Sequence, residues 1–251
     1  MRVLTLNTWQ ERGPWQERWE VIFEGLQILQ PDLVFFQEVF NSDWIQEVSR
    51  RTKMATVVYH ETASGLALLS RYPKLESGSR QLKGQSVRED YRRYLLHAKF
   101  QTEGGVFFAF NTHLSWMLED SQVRAAQTQE IASTVREIAG SGESLIAGDF
   151  NAVAWSPEIR LLTAENSFTD VCEALHPGAL GLTWTYDNIY TREGRHPLPD
   201  RRIDYIFSHQ GKVLLSCPKT AKVVLDTRGS RGILASDHYG VCAEFRLESG
   251  Q

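Results

Sequence analysis

Cysteine is scarce: Cys172, Cys217 and Cys242 are the three in 251 residues. Their odd number and wide spacing, with no metal-type pairing, argue against a disulfide framework and a thiolate metal site, and read as reduced, mostly buried thiols. No apolar run approaches the length that crosses a bilayer, and a core-type strand at Val3–Leu6 stands where a leader would be. A soluble, cytoplasmic protein without a signal peptide is expected. Pro/Gly/Ser-rich linkers, repeats and low-complexity tracts are missing as well, so residues 1–251 are expected to form one domain, and a monomer with no obligate protein partner is expected. Nor is positive charge in excess. With 27 Lys and Arg against 31 Asp and Glu, the net charge of −4 argues against avid, nonspecific binding to a phosphate backbone. A local basic rim would not show in that total, and an acidic metal-lined cleft would lower it.

What is present suits a sizeable core: 42% hydrophobic residues, with 11% aromatic. Apolar residues at Trp15, Trp19, Ile22, Phe23, Leu26 and Leu29 recur near the helical period, and Pro31 ends that helix. Asn41 or Ser42 caps a second helix to about Arg51. Residues 56–59, 65–70 and 94–100 read as strands. The spacing of Val123, Ala126, Ile131, Val135 and Ile138 predicts a helix over 121–139, with Ser121 as N-cap and Gly140 as stop. Residues 163–201, rich in Gly, Pro and Tyr, read as loops. Helix and strand alternate in both halves, which suits two packed sheets with helices outside.

Six apolar strands carry polar groups at or beside their ends. They are Leu4-Thr5-Leu6-Asn7-Thr8-Trp9, Phe35-Phe36-Gln37-Glu38, Phe110-Asn111-Thr112-His113, Ala147-Gly148-Asp149-Phe150-Asn151, Arg202-Ile203-Asp204-Tyr205 and Ser236-Asp237-His238. Packing does not call for polar side chains so regularly placed, and a buried unpaired carboxylate is costly. Asp149 and Asn151, two residues apart, project to the same side of a strand end.

In these motifs and their order, from Leu4 to Phe245, the chain resembles the endonuclease/exonuclease/phosphatase superfamily. That group includes deoxyribonuclease I, exonuclease III-type nucleases, neutral sphingomyelinases and inositol-polyphosphate 5-phosphatases. The resemblance implies an α/β fold, a four-layer sandwich of two packed mixed β-sheets flanked by helices. It also implies a phosphoric ester hydrolase. The Asn7-Thr8-Trp9 motif looks more like the sphingomyelinase-type branch than like abasic-site nucleases.

Phosphodiester hydrolysis needs an in-line water, neutralised phosphate oxygens and a stabilised leaving oxygen. Carboxylate and amide donors favour Mg²⁺ or Mn²⁺. Glu38 is the expected metal ligand, with Asn7 orienting it or reaching the metal through water, and Asp237 on the metal side. Asp149 is expected to activate the water or protonate the leaving group, and Asn151 to hold a phosphate oxygen or position Asp149. His113 and His238 supply charge and proton transfer, and Asp204 accepts the Nδ1 proton of His238. His60, His97, His176, His196 and His209 lack such context and read as packing or surface residues.

Trp9, Trp116, Trp155 and Trp184 follow strand ends or lie in the late loop; Trp116, Trp155 and Trp184 are candidate substrate contacts, and packing beneath the loops is the alternative. The Thr183-Trp184 segment with downstream Asn188 resembles sphingomyelinase-like and tyrosyl-DNA-phosphodiesterase-like members, which makes Asn188 a substrate-contact candidate. Arg124 and Gln127 are candidates for the phosphate face, with a solvated helix surface as the alternative. The substrate is a phosphodiester, either nucleic acid or a phospholipid head group. A phosphomonoesterase acting on a soluble polyphosphate would draw on Arg192, Arg195, Arg201 and Arg202, and an inactive binding scaffold is the alternative outside enzymes.

Overall fold

The computed structural model describes residues 1–60, 64–192, 198–209 and 218–246. The chain runs β1 (Arg2–Asn7), α1 (Trp15–Leu29), β2 (Leu33–Gln37), α2 (Ser42–Thr52), β3 (Thr56–Tyr59), β4 (Ala67–Ser70), β5 (Lys74–Gln81), β6 (Tyr94–Thr102) and β7 (Gly105–His113). It continues with α3 (Ser121–Ala139), β8 (Ser144–Asp149), α4 (Pro157–Arg160), β9 (Thr169–Asp170), α5 (Val171–Leu175), β10 (Asp204–His209), β11 (Pro218–Val224) and β12 (Gly240–Phe245).

The strands form two mixed six-stranded sheets, ordered β11-β12-β1-β2-β4-β3 and β5-β6-β7-β8-β10-β9. Strand alternation assigns the core residues on the strands to layers. From β1 and β8, Val3, Leu145 and Ala147 face the space between the sheets, where Phe35, Phe100, Phe107 and Ile206 meet them. Leu4 and Leu6 turn outward beneath α1 and α2 with Trp19 and Phe23, and Ile146, Phe150 and Phe207 pack toward α3 with Ile131 and Val135. The four-layer α/β sandwich is therefore present.

Each sheet has one parallel pair, β1 with β2 and β7 with β8. Parallel neighbours end on the same side, so Asn7 stands opposite Gln37 and His113 opposite Asp149. Antiparallel β10 begins at that edge, placing Asp204 opposite Asp149. Two sheet edges thus meet at one end of the sandwich.

Several local expectations are corrected. Ser121 is not the cap of α3: a 3₁₀ turn at Leu118–Asp120 runs straight into the helix, and Asp120, at the cap position, makes no capping bond. Its carboxylate instead meets Arg88 Nη1 at 2.6 Å. The strand read over 65–70 begins at Ala67, and β5, which has no apolar alternation, went unread because its side chains are mostly exposed. Within 163–201 the chain is less irregular than expected, carrying β9, α5 and a 3₁₀ turn at Ile189–Thr191. Asn41 does cap α2, accepting from Asp43 N at 3.0 Å. Arg195, His196 and Cys217 lie outside the described residues.

Candidate active site

The floor of the site is built from strand ends. Asp149 closes β8 on its inter-sheet side, after Gly148. Gly148 has φ +149°, and a Cβ there would lie 2.0 Å from Thr112 O of the paired strand. No larger residue fits so close to β7. We expect Gly148→Ala to destabilise the fold by about 3 kcal/mol through overpacking, read as a lowered denaturant midpoint; an unshifted midpoint would show that the strands relax apart freely.

Glu38, one residue beyond β2, adopts φ 60°. That left-handed turn swings its carboxylate off the strand line, and Val39 N donates to Gly65 O at 2.9 Å to hold it. A Cβ on Gly65 would sit 3.1 Å from Glu38 Cα. Asn7 Nδ2 donates to Glu38 Oε1 at 3.2 Å and to Asp149 Oδ2 at 3.0 Å, while Asn7 Oδ1 accepts from Trp9 N. One amide thus ties both sheets together at the edge. Asn151, at φ 48°, donates through its main-chain N to Asp149 Oδ1 at 2.9 Å and through Nδ2 to Leu114 O.

Both motif histidines converge on the same carboxylate. His113 Nε2 lies 3.4 Å and His238 Nε2 3.7 Å from Asp149 Oδ2. On its other side, His238 Nδ1 is 2.9 Å from Asp204 Oδ2. Ser236 Oγ donates to Asn7 O at 2.7 Å and accepts from His238 N, anchoring the His238 turn to β1. Asp237 is buried beside it and lines the cleft.

Burial and charge set the protonation states. Burial pushes the Asp149 carboxyl up to about 6, against the opposing pull of His238. Burial alone would lower His238, but Asp204, Asp149 and Asp237 outweigh it and raise the imidazolium to about 10. His113 moves the other way, well below the ordinary histidine range, because burial and the nearby charges of Arg93 and His238 disfavour its cation. At neutral pH the floor therefore holds an imidazolium, a neutral imidazole and a carboxylate around one point.

Asp149, Asp204 and His238 lie close enough for their ligand atoms to ring an ion, all within 4.8 Å of one another. His238 Nδ1 is already engaged by Asp204, however, which leaves that nitrogen closed to an ion and turns Nε2 toward Asp149 at 3.7 Å. The carboxylates that line the cleft beside this trio are Glu38, whose side chain is 17% exposed, and Asp237, while Asn7, its oxygen engaged by Trp9 N, bonds Glu38 through Nδ2. Oxygen donors without a thiolate fit Mg²⁺ or Mn²⁺.

Above the floor lies a cleft of about 360 Å³. Trp116, at 48% exposure, lines it together with Phe40, Tyr91, Arg12, Arg92 and Arg201. The remaining candidates fall elsewhere. Trp155 is 75% exposed but is not among the lining residues, and Trp184 reaches the wall yet is only 2% exposed, with the Arg201 guanidinium over its ring. Asn188 is buried and used up: Nδ2 donates to Ser236 O and Oδ1 accepts from Tyr190 N. Arg124 is also buried, spent on Glu158 and on the carbonyls of Ser115, Met117 and Leu118, and Gln127 braces Ser115 and Gly84. Neither a phosphate face nor a solvated helix surface describes these two. Of the arginines suggested for a polyphosphate, Arg202 is buried against Asp170 and Arg192 bonds Tyr186 O, so no cluster of them forms among the described residues.

Sequence reading passed over the residues that brace this floor. Gln37 Nε2 donates to Asn111 Oδ1, and Asn111 Nδ2 donates to Phe36 O and Ala67 O, crossing between the sheets. Thr183 Oγ1 accepts from the N–H groups of Ile203 and Asp204. The signal was available, since each is a polar residue inside an apolar motif.

A sequence model of the endonuclease/exonuclease/phosphatase family matches residues 8–238. Protein angel of Drosophila melanogaster is 26% identical over 267 residues, covering 93% of this chain and 72% of that protein. Among solved structures, truncated Caenorhabditis elegans TDP2 superposes with a TM-score of 0.79 at 19% identity, covering 97% of this chain and 96% of that one. The D. rerio TDP2 complexed with single-strand DNA product gives 0.81 at 19% identity, covering 98% and 99%. An endonuclease/exonuclease/phosphatase from Bacteroides vulgatus gives 0.79 at 22% identity, covering 98% of each chain.

Proposed function

This chain belongs to the endonuclease/exonuclease/phosphatase family of phosphoric ester hydrolases, and from that premise we propose that it is a divalent-cation-dependent phosphodiesterase acting on single-stranded nucleic acid. The observation that carries the reading is the convergence on Asp149 Oδ2 of Asn7, His113 and His238 at 3.0, 3.4 and 3.7 Å. That is the geometry of a site that moves one proton while stabilising anionic oxygens.

Glu38 and Asp237 would hold the cation, with Asn7 orienting the Glu38 carboxylate through its Nδ2 donor. When bound, the ion would neutralise the phosphate's non-bridging oxygens and ease deprotonation of a water. Asp149 takes the proton of the attacking water at Oδ2, oriented by Asn7 and Asn151. The His238 imidazolium, kept charged by Asp204, faces the phosphate as its charge builds, and neutral His113 offers a further hydrogen bond. Support for nucleic acid comes from the wall, where Arg12, Arg92 and Arg201 supply cations and Tyr91 and Trp116 supply ring faces for unpaired bases. The DNA-product complex of the D. rerio protein points the same way. Exposed Phe40, Trp116 and Leu118 also line the cleft, and the sphingomyelinase-type reading of the Asn7-Thr8-Trp9 motif would draw on these.

The test is hydrolysis of a single-stranded oligonucleotide, sphingomyelin vesicles and bis-p-nitrophenyl phosphate with and without chelator. Oligonucleotide cleavage that chelator abolishes is expected; chelator-resistant turnover would sink the cation-dependent mechanism. Glu38→Gln should raise the Mg²⁺ concentration for half-maximal rate at least about tenfold, with much of the rate recovered at saturating Mg²⁺.

A further inference from the structure

Part of the cleft wall is built from the loop before β6 and the loop after β7, and one buried carboxylate joins them. Glu89 Oε2 accepts from Arg93 Nε at 3.0 Å and lies 2.9 Å from its Nη2. Its other oxygen, Oε1, accepts from Trp116 N at 2.6 Å. The Glu89 side chain is fully buried and that of Arg93 is 7% exposed. A second tie, Arg88 to Asp120, holds the same two loops farther out.

Such a buried carboxylate is expensive unless both its oxygens are used, and here both are used on residues that line the cleft. Arg93 brings a planar fork of donors. Its Nε and Nη2 side is spent on Glu89, and Nη1 has no hydrogen-bond partner among the described residues. A guanidinium clamped along one edge in the lining of a cleft can serve as an anion receptor held at fixed orientation. Its charge is also felt by His113, which places it close to the floor.

We propose that Arg93 contacts an anionic oxygen of the bound phosphodiester and that Glu89 is the positioning residue that aims it, fixing Trp116 in the same stroke. The proposal rests on the phosphodiesterase reading given above and specifies how that site grips its substrate. Because Glu89 acts through Arg93, removing either should have nearly the same effect, and removing both should add little.

The experiment measures KM and kcat on a single-stranded oligonucleotide for wild type, Glu89→Gln, Arg93→Lys and the double variant Glu89→Gln/Arg93→Met. The double variant leaves no buried charge unpaired, so it keeps the fold even where a single change does not. Expected are KM increases of about tenfold or more for Glu89→Gln and for the double variant, with kcat changed by less than about threefold and the two increases within about threefold of each other. Arg93→Lys, which keeps the charge but not the fork, should fall between them and wild type. The slope of log KM against log salt should lose about 0.7 in the double variant, one phosphate contact's share on a single strand. Unchanged KM in the double variant, or losses confined to kcat that track a lowered melting temperature, would overturn the proposal and reduce Glu89 to a structural brace. If wild type leaves the oligonucleotide intact but cleaves bis-p-nitrophenyl phosphate, the nucleic-acid reading falls alone. The same KM comparison on that diester then decides the proposal, with an unchanged KM overturning it.

Discussion

Asp149→Asn should lower turnover by about 10³–10⁴-fold while leaving the protein folded, since it removes the one proton acceptor on which the site converges. The asparagine preserves shape and still accepts from Asn151 N at its one oxygen, while its amide nitrogen faces Asn7 Nδ2 and gives up that single bond, a loss too small to account for such a drop in turnover. Stability should move the opposite way. Burial raises the Asp149 pKa to about 6 from an ordinary 3.8, so the native state favours the protonated form. A raised folded pKa contributes stability that is fully present below the unfolded value and is lost as pH climbs through the folded one. The Asn variant mimics the protonated form and escapes that loss. In chelator, its melting temperature should therefore rise relative to wild type between about pH 4 and about pH 7. Turnover within tenfold of wild type would move the proton transfer to another group.

The second large effect concerns the imidazolium. His238→Ala should cost several orders of magnitude in kcat, on the order of 10³-fold, and Asp204→Asn should cost a comparable part of it. Asp204 acts here through a single contact, its Oδ2 on His238 Nδ1 at 2.9 Å, and is otherwise wholly buried. Once His238 is gone, Asp204→Asn should therefore cost little more, a strongly non-additive cycle in kcat. Fully additive losses would assign Asp204 to holding β10 against β8 and remove it from the reaction.

How much of this was legible beforehand follows from range. The strand motifs that carry Asn7, Glu38, His113, Asp149 and Asp204 at or beside one end could be read because short apolar runs mark strands locally and a polar residue at the end stands out against them. Helix α1 was readable from its spacing and from Pro31. The α3 cap was not, because Ser121 looks like a cap locally while the turn at Leu118–Asp120 is set by Arg88, 32 residues away from Asp120. Arg124 and Asn188 looked like substrate contacts for the same reason. A polar residue near a motif has the same local signature whether its donors face a cleft or a neighbouring carbonyl.

By itself the sequence determined the family, the order of the strands that build the site and the chemical types available to it, since these depend on residues adjacent in the chain. Only the tertiary structure decided which groups meet: that Asn7 bridges Glu38 and Asp149 across two sheets, that His238 and His113 face one oxygen, that Trp116 opens to the cleft while Trp184 does not, and that Glu89 clamps Arg93. The physical reason is that burial, protonation and hydrogen-bond satisfaction are properties of contacts. In this fold those contacts join Asn7 to Asp149 over 142 positions and Ser236 to Asn7 over 229, distances over which no local pattern carries information.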